Sequence, residues 1–307
     1  MLKQAWKTNS RRKLLSATGD DRESFLLEMR PKQFCSVPYA YLRSSVEVAE
    51  HKTGTSRTLV LTAKNQRAGG TAVLYLYDSA YIAPPGEADW ELAKQLVEQT
   101  GCDLYFPIYP LFPEAKFHEI VQAVDESMRF MMGRSRPEVS TVLGFAAGAQ
   151  LCMSTFVLQK QKGSNRRIPE HWILNSPILQ MPLDEESENA MRISDQKDLI
   201  FPMCFCQEDG IGGLIAAQET GEYRGLLNLF ACDLGGMPDT HLYLGSEENA
   251  MVFRERFEEK CRTEQIPLTV HIGEGLMQCW GLYGVMKEAE HVRKEYFSLI
   301  QRNETIK

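Results

Sequence analysis

From Val46 onward, short apolar runs alternate with longer amphipathic ones. The runs at 58–62, 72–76, 104–108, 141–145, 172–175, 241–244 and 268–272 have strand length and are rich in β-branched or aromatic residues, which predicts seven or eight strands. Several are apolar throughout, as parallel strands buried on both faces are. Helix-like segments lie between them at 90–99, 118–132, 148–160 and 250–263. Over 282–300, Val285, Met286, Ala289, Val292, Tyr296 and Ile300 recur mostly every three or four positions, so this segment is expected to lay one apolar helical face on a sheet. Near-strict alternation from residue 72 places the chain in the α/β class, with a mostly parallel sheet of about eight strands and helices on both faces.

Two stretches depart from that pattern. Residues 1–45 are polar, and Lys3, Lys7, Arg11, Arg12 and Lys13 all precede the first acidic residue, Asp20. Between an organelle-targeting segment and a solvated helix, the second reading is preferred, as a small helical cap. Residues 46–307 then form one domain, interrupted at about 179–239 by an insertion over one end of the sheet. Within it, Asp184, Glu185, Glu186 and Glu188 read as a solvated acidic loop, and Gly210, Gly212 and Gly213 break an apolar segment without following a strand as a phosphate loop requires.

The 307 residues are 43% hydrophobic and 24% charged, ordinary values for a globular chain able to bury a sizeable core. A net charge of -7 argues against a nucleic-acid partner. No apolar run approaches the ~20 residues needed to span a bilayer, and no apolar stretch follows the basic start as a secretory signal would. Eight scattered cysteines suit reduced thiols and a cytoplasmic location better than a disulfide framework. Cys204-Phe205-Cys206 would place two thiols on one side of an extended segment, but without a second ligand pair a packed pair is preferred to a metal site. No metal or cofactor is implied.

Two strand ends carry chemistry. Thr141-Val142-Leu143-Gly144-Phe145-Ala146-Ala147-Gly148-Ala149 is a strand running through small residues into a helix, the setting of a nucleophile elbow. Upstream, the strand 73–76 leads into Tyr77-Asp78-Ser79-Ala80-Tyr81. Then follow Asp89-Trp90, Tyr109-Pro110-Leu111-Phe112-Pro113-Glu114, a strand ending in Ser176-Pro177, Asp233-Leu234-Gly235-Gly236-Met237-Pro238, and Glu274-Gly275-Leu276-Met277-Gln278-Cys279-Trp280.

In this order, over about residues 58–301, the chain resembles the hormone-sensitive-lipase-like branch of the α/β-hydrolases, which includes bacterial acetyl esterases and other carboxylesterases. The Tyr-x-Leu-x-Pro-Glu element is the most specific match, whereas the first 45 residues match a family cap by position only. The resemblance implies an α/β-hydrolase fold and leaves a homodimer open. In active members a serine attacks the ester, a histidine moves the proton, an acid orients the histidine, and backbone N–H groups stabilise the oxyanion.

Carried over residue by residue, the nucleophile position is Ala146, the base position Gln278 and the acid position Glu248, with Glu247 as the alternative. Alanine has no nucleophilic atom, and a glutamine amide exchanges no proton near neutral pH. The His-Gly-Gly-Gly oxyanion loop is replaced by Tyr77, Asp78, Ser79 and Ala80, with Ala147 at the second donor position. Three side chains there restrict the backbone, and an aspartate facing the site repels an oxyanion. His271 and His291 are alternative bases only if the C-terminal match is shifted. Ser79, Ser176 and Cys279 are the remaining nucleophile candidates, Tyr81, Phe145 and Cys279 are pocket candidates, and Tyr75, Tyr77 and Tyr109 either line the mouth or pack in the core. The expectation is a degenerate, pseudoenzyme-like member that binds a small-molecule ligand, with an active esterase using displaced residues and an interaction subunit as alternatives.

Overall fold

The computed structural model describes residues 11–64, 70–135 and 137–301. Lys3 and Lys7 lie outside the described residues. One sheet of eight strands runs in the order β1-β2-β4-β3-β5-β6-β7-β8. The strands are β1 (Val46–Thr53), β2 (Ser56–Ala63), β3 (Thr71–Leu76), β4 (Asp103–Ile108), β5 (Val139–Phe145), β6 (His171–Asn175), β7 (Asp239–Gly245) and β8 (Leu268–Gly273). β2 pairs antiparallel with both β1 and β4, and every pairing from β4 to β8 is parallel.

The expected α/β architecture is therefore present, with β1 as the strand the apolar runs did not single out. It is an edge strand whose residues are mostly half-buried or exposed, so it lacks the apolar run that marks a central strand. β3, by contrast, is buried at all of its six positions.

The longer helices among the described residues are α1 (Asp21–Met29), α2 (Glu87–Thr100), α3 (Phe117–Ser135), α4 (Ala147–Gln161), α5 (Glu185–Ser194), α6 (Ile211–Ala217), α7 (Arg254–Thr263) and α8 (Lys287–Gln301). α4 is buried on every side from Ala147 to Gln159, and its small first turn lets it press on the sheet. A Cβ at Gly148 would stand 2.3 Å from the Leu76 carbonyl oxygen, so only glycine fits this crossing. The last helix starts later than its apolar period suggests. The Arg293 guanidinium donates to the carbonyls of Gly281 (3.0 Å) and Leu282 (2.6 Å), so this segment forms a separate 3-10 turn, Trp280–Leu282. Val285 consequently lies before the helix and is exposed. Ala289, Val292, Tyr296 and Ile300 do form the buried face.

In the 179–239 stretch the acidic cluster is a helix start, not a loop. Asp184 caps α5 by accepting from the Ser187 backbone N–H at 2.8 Å, and Glu185, Glu186 and Glu188 fill its first turn, where negative charge meets the positive end of the helix. Cys204 and Cys206 belong to a 3-10 turn, Met203–Cys206, instead of an extended segment. Gly210 lets α6 begin against that turn, since a Cβ there would stand 1.9 Å from the Cys204 carbonyl oxygen.

The N-terminal residues pack on this stretch. Thr18 bridges to Gly210, and the Gly19 N–H donates to the Asp209 carbonyl at 3.0 Å. Arg12 donates to the carbonyls of Asp195 (2.9 Å) and Asp198 (2.6 Å) and to the Asp195 carboxylate (2.8 Å). Residues 11–19 and the 179–239 stretch thus meet as one layer, formed from segments far apart in the chain. No helix among the described residues is long and apolar enough to cross a membrane.

Candidate active site

Parallel pairing brings the carboxyl ends of β3, β5, β6, β7 and β8 level. Leu76 stands opposite Gly144, Phe145 opposite Asn175, Asn175 opposite Tyr243, and Gly245 opposite Gly273. Ala146, Glu248, Gln278 and the 77–80 loop each follow one of these ends, the place where open α/β sheets present their sites.

The turn after β5 is a tight strand-to-helix elbow with Ala146 at its apex. Ala146 adopts φ 43° and ψ -107°, and its N–H donates to the Asn175 carbonyl at 2.8 Å. Holding a non-glycine residue there costs about 1–3 kcal/mol, and such residues persist only where surrounding structure enforces them. Ala80 (φ 43°), Tyr81 (φ 63°), Ser176 (φ 47°) and Cys279 (φ 51°) share this positive-φ geometry, each in a segment following a strand at the site. Of the positive-φ non-glycine residues among those described, only Gln265 (φ 56°) lies away from these strand ends.

Asn175 and Ser176 tie the site together. The Cys279 N–H donates to Ser176 Oγ at 2.9 Å, and Ser176 Oγ donates to Glu248 Oε2 at 2.8 Å. The Gly245 N–H donates to the same carboxyl oxygen at 3.0 Å. Tyr296 Oη donates to Asn175 Oδ1 at 2.5 Å, anchoring this hub to α8. Serine-proline at a strand end is visible in the sequence, but its link between Glu248 and the Cys279 backbone depends on contacts more than 70 residues away in the chain.

Glu248 is the inward-facing acid, fully buried, whereas Glu247 is partly exposed and pairs with Lys197 at 3.3 Å. Burial pushes the Glu248 carboxyl up to about 8 from its ordinary 4.5, against the opposing donors at Gly245 and Ser176. It is therefore largely neutral near pH 7. Gln278 is buried as well, and its Oε1 has no hydrogen-bond partner. Glu248 Oε1 and Gln150 Nε2 are likewise buried and unpartnered, so α4 and the loops after β7 and β8 each contribute an unsatisfied polar atom. Buried polar groups are nearly always satisfied, so such a group calls for a water or ligand partner.

The loop after β3 is buried too. Asp78 Oδ1 accepts from the Ala80 N–H at 3.2 Å, Ser79 Oγ accepts from the Tyr81 N–H at 2.9 Å, and Tyr109 Oη donates to the Tyr77 carbonyl at 2.9 Å. The Tyr77 and Tyr109 rings stack at 4.4 Å, and Tyr81 Oη bonds Gln150 Oε1. Tyr75, Tyr77, Tyr81 and Tyr109 are thus packed within the structure, and Phe145 packs against Tyr75 at 5.6 Å. The second side-chain oxygen of Asp78 meets Arg11 Nη2 at 2.5 Å. Arg11 belongs to the basic opening of the chain, whose only sequence signal was its lack of acids.

None of the alternative nucleophiles stands free. Ser176 and Ser79 are occupied as described, and burial, reinforced by Asp78 and Glu248, drives the Cys279 thiol well above its ordinary range. The alternative bases also lie elsewhere. His271 is within β8, where its Nε2 stands 3.0 Å from His241 Nδ1, and His291 is on α8 with Nε2 3.4 Å from Glu295. Among the described residues no group of three or more His, Cys, Asp or Glu is placed to hold a metal ion.

Residues 73–281 match the family model for the alpha/beta hydrolase fold. An esterase of Acinetobacter venetianus is 26% identical over 209 residues, which cover 68% of this chain and 66% of that protein, just under two thirds of its length. Among solved structures, a Staphylococcus aureus protein assigned as an esterase superposes with a TM-score of 0.80 at 15% identity, over 97% of this chain and 96% of the other. An esterase from the bacterial hormone-sensitive lipase family superposes with a TM-score of 0.75 at 15% identity, over 98% and 97% of the two chains. These structural likenesses extend across nearly the whole fold.

Proposed function

The chain belongs to the α/β-hydrolase fold family, and on that premise we propose that it is a non-hydrolytic member whose former ester site binds a small molecule. The observation that carries this reading is Ala146, which keeps the strained elbow geometry with no atom able to attack an ester. Gln278 at the base position compounds the loss, because an amide cannot accept the nucleophile's proton and return it to the leaving group. A neutral Glu248 offers no charge to stabilise an imidazolium, and the loop after β3 carries an Arg11–Asp78 ion pair in place of glycines whose backbone is free to approach a substrate. The unpartnered Gln150 Nε2, Glu248 Oε1 and Gln278 Oε1 supply hydrogen-bonding capacity for a polar ligand. Retained strain around the elbow supports a site that is still in use.

The direct test is turnover of p-nitrophenyl acetate and p-nitrophenyl butyrate, with labelling by a fluorophosphonate and a thiol probe alongside. We expect no release above blank and no covalent adduct. Turnover that persists through purification to constant specific activity, with a labelled serine or cysteine, overturns the reading in favour of a hydrolase using displaced residues.

A further inference from the structure

Four of the chain's six histidines, at 171, 241, 271 and 291, gather toward the β8 edge of the sheet. Parallel register sets His171 opposite Asp239 and Tyr243 opposite His271, so alternation turns His171, Asp239, His241, Tyr243 and His271 to one face. A groove of about 430 Å³ between this face and α8 is lined by His241, Tyr243, His271, His291, Lys294 and Glu295. His241 Nδ1 stands 3.0 Å from His271 Nε2, the separation of a single hydrogen bond. A carboxylate faces the far nitrogen of each ring: Asp239 Oδ2 is 3.8 Å from His241 Nε2, and Glu295 Oε2 is 3.9 Å from His271 Nδ1. The ends continue to His171 Nδ1, 3.4 Å from Asp239, and to His291 Nε2, 3.4 Å from Glu295. Tyr243 lays its ring on His271 at 4.2 Å and donates its hydroxyl to Glu295 at 3.3 Å. One chain of titratable groups thus joins β6, β7, β8 and α8.

We propose that His241 and His271 form a proton-sensitive latch, closed while no more than one of the two rings is charged and opened when both are. The reason is a count of donors. A neutral imidazole has one N–H and one lone pair, whereas an imidazolium has two N–H groups and no lone pair. Two neutral rings, or one neutral and one charged, can share a hydrogen bond across 3.0 Å. Two charged rings set N–H against N–H with like charges, and Lys294 in the same groove adds to the repulsion. Asp239 and Glu295 favour a first charge but supply no acceptor between the rings. Burial acts in the same sense, lowering the His271 imidazole from its ordinary 6.5 against the pull of Glu295. The latch lies on β8, an edge strand that pairs with β7 alone and runs into the loop bearing Gln278 and Cys279. A second proton therefore loosens the strand that leads to the site, whether or not that site holds a ligand.

Amide hydrogen exchange and imidazole NMR test the latch together. The closed form excludes the second proton and the open form takes it up normally, so the opening equilibrium rises by about tenfold per pH unit below 6.5. Protection factors of β8 amides bonded to β7 should fall by that factor between about pH 6 and 5, while those of β5 hold. In the wild type, His241 and His271 should titrate as a coupled pair in two separated steps, the second below 6.5. His271→Gln keeps a side chain that donates or accepts without titrating, so the contact survives protonation of His241 and the β8 response should flatten. His241→Asn does the same from the other strand and serves if the glutamine variant does not fold. Independent titration of the two rings, unchanged β8 protection, an equal loss of protection in β5, or a β8 response that persists in the folded variants overturns the latch.

Discussion

Replacing Glu248 with glutamine keeps the shape of the side chain and an acceptor oxygen for Ser176 and Gly245 while abolishing its proton equilibrium. Burial raises the carboxyl from an ordinary 4.5 to about 8 in the folded chain. Because the folded value exceeds the unfolded one, the folded state binds the proton more tightly. The stabilisation this provides is complete below about pH 4.5 and is lost as pH climbs through 8. Each pH unit in that window removes about 1.4 kcal/mol, and the whole window about 5 kcal/mol. Urea unfolding of wild type and Glu248→Gln at about pH 5, 6, 7 and 8 isolates the effect as a difference. That difference should move in favour of the variant by about 1.4 kcal/mol per unit and flatten above pH 8. Asp89, also pushed by burial to about 7, is present in both proteins and cancels. A difference that stays constant from pH 5 to 8 would mean that Glu248 is ionised when folded, and the account of a neutral acid position would be wrong.

Two further outcomes follow from the same contacts. Ala146→Ser combined with Gln278→His restores a nucleophile and a base but leaves a neutral Glu248 and the Asp78 carboxylate in place, so p-nitrophenyl acetate hydrolysis should remain at background; rates typical of esterases would show that the loop is no obstacle. Arg12→Ala removes the bonds to Asp195 and Asp198, and amide hydrogen exchange over residues 11–19 should quicken while β3 and β5 stay protected; unchanged protection there would mean that Arg12 does not fasten this segment.

The parts of the molecule legible in the sequence are those governed by local periodicity. β3 and β5 lie between layers and are buried at nearly every position, so their run of mostly apolar residue types reports burial directly. β1 satisfies its backbone at the sheet edge with Glu47, Glu50 and Lys52 along it, and such a mixture reads no differently from a loop. The apolar period overruns the start of α8, because it does not register the 3-10 turn Trp280–Leu282 or the bonds Arg293 makes to the carbonyls of Gly281 and Leu282, twelve and eleven residues earlier.

The same division runs through the site. Ala146 and Gln278 were readable because each replaces a residue whose absence is itself the signal, at a position set by the order of strand and helix. Arg11 was not readable as part of the site, since its partner Asp78 lies 67 residues away, and a basic residue in a basic opening has no pattern that distinguishes a buried ion pair from a solvated face. On the proposed reading, the sequence exposes an empty catalytic position more readily than a contact between distant segments. Loss appears at a fixed position in a known frame, whereas the new charge pair becomes visible only when the N-terminal residues are laid across the carboxyl ends of the strands.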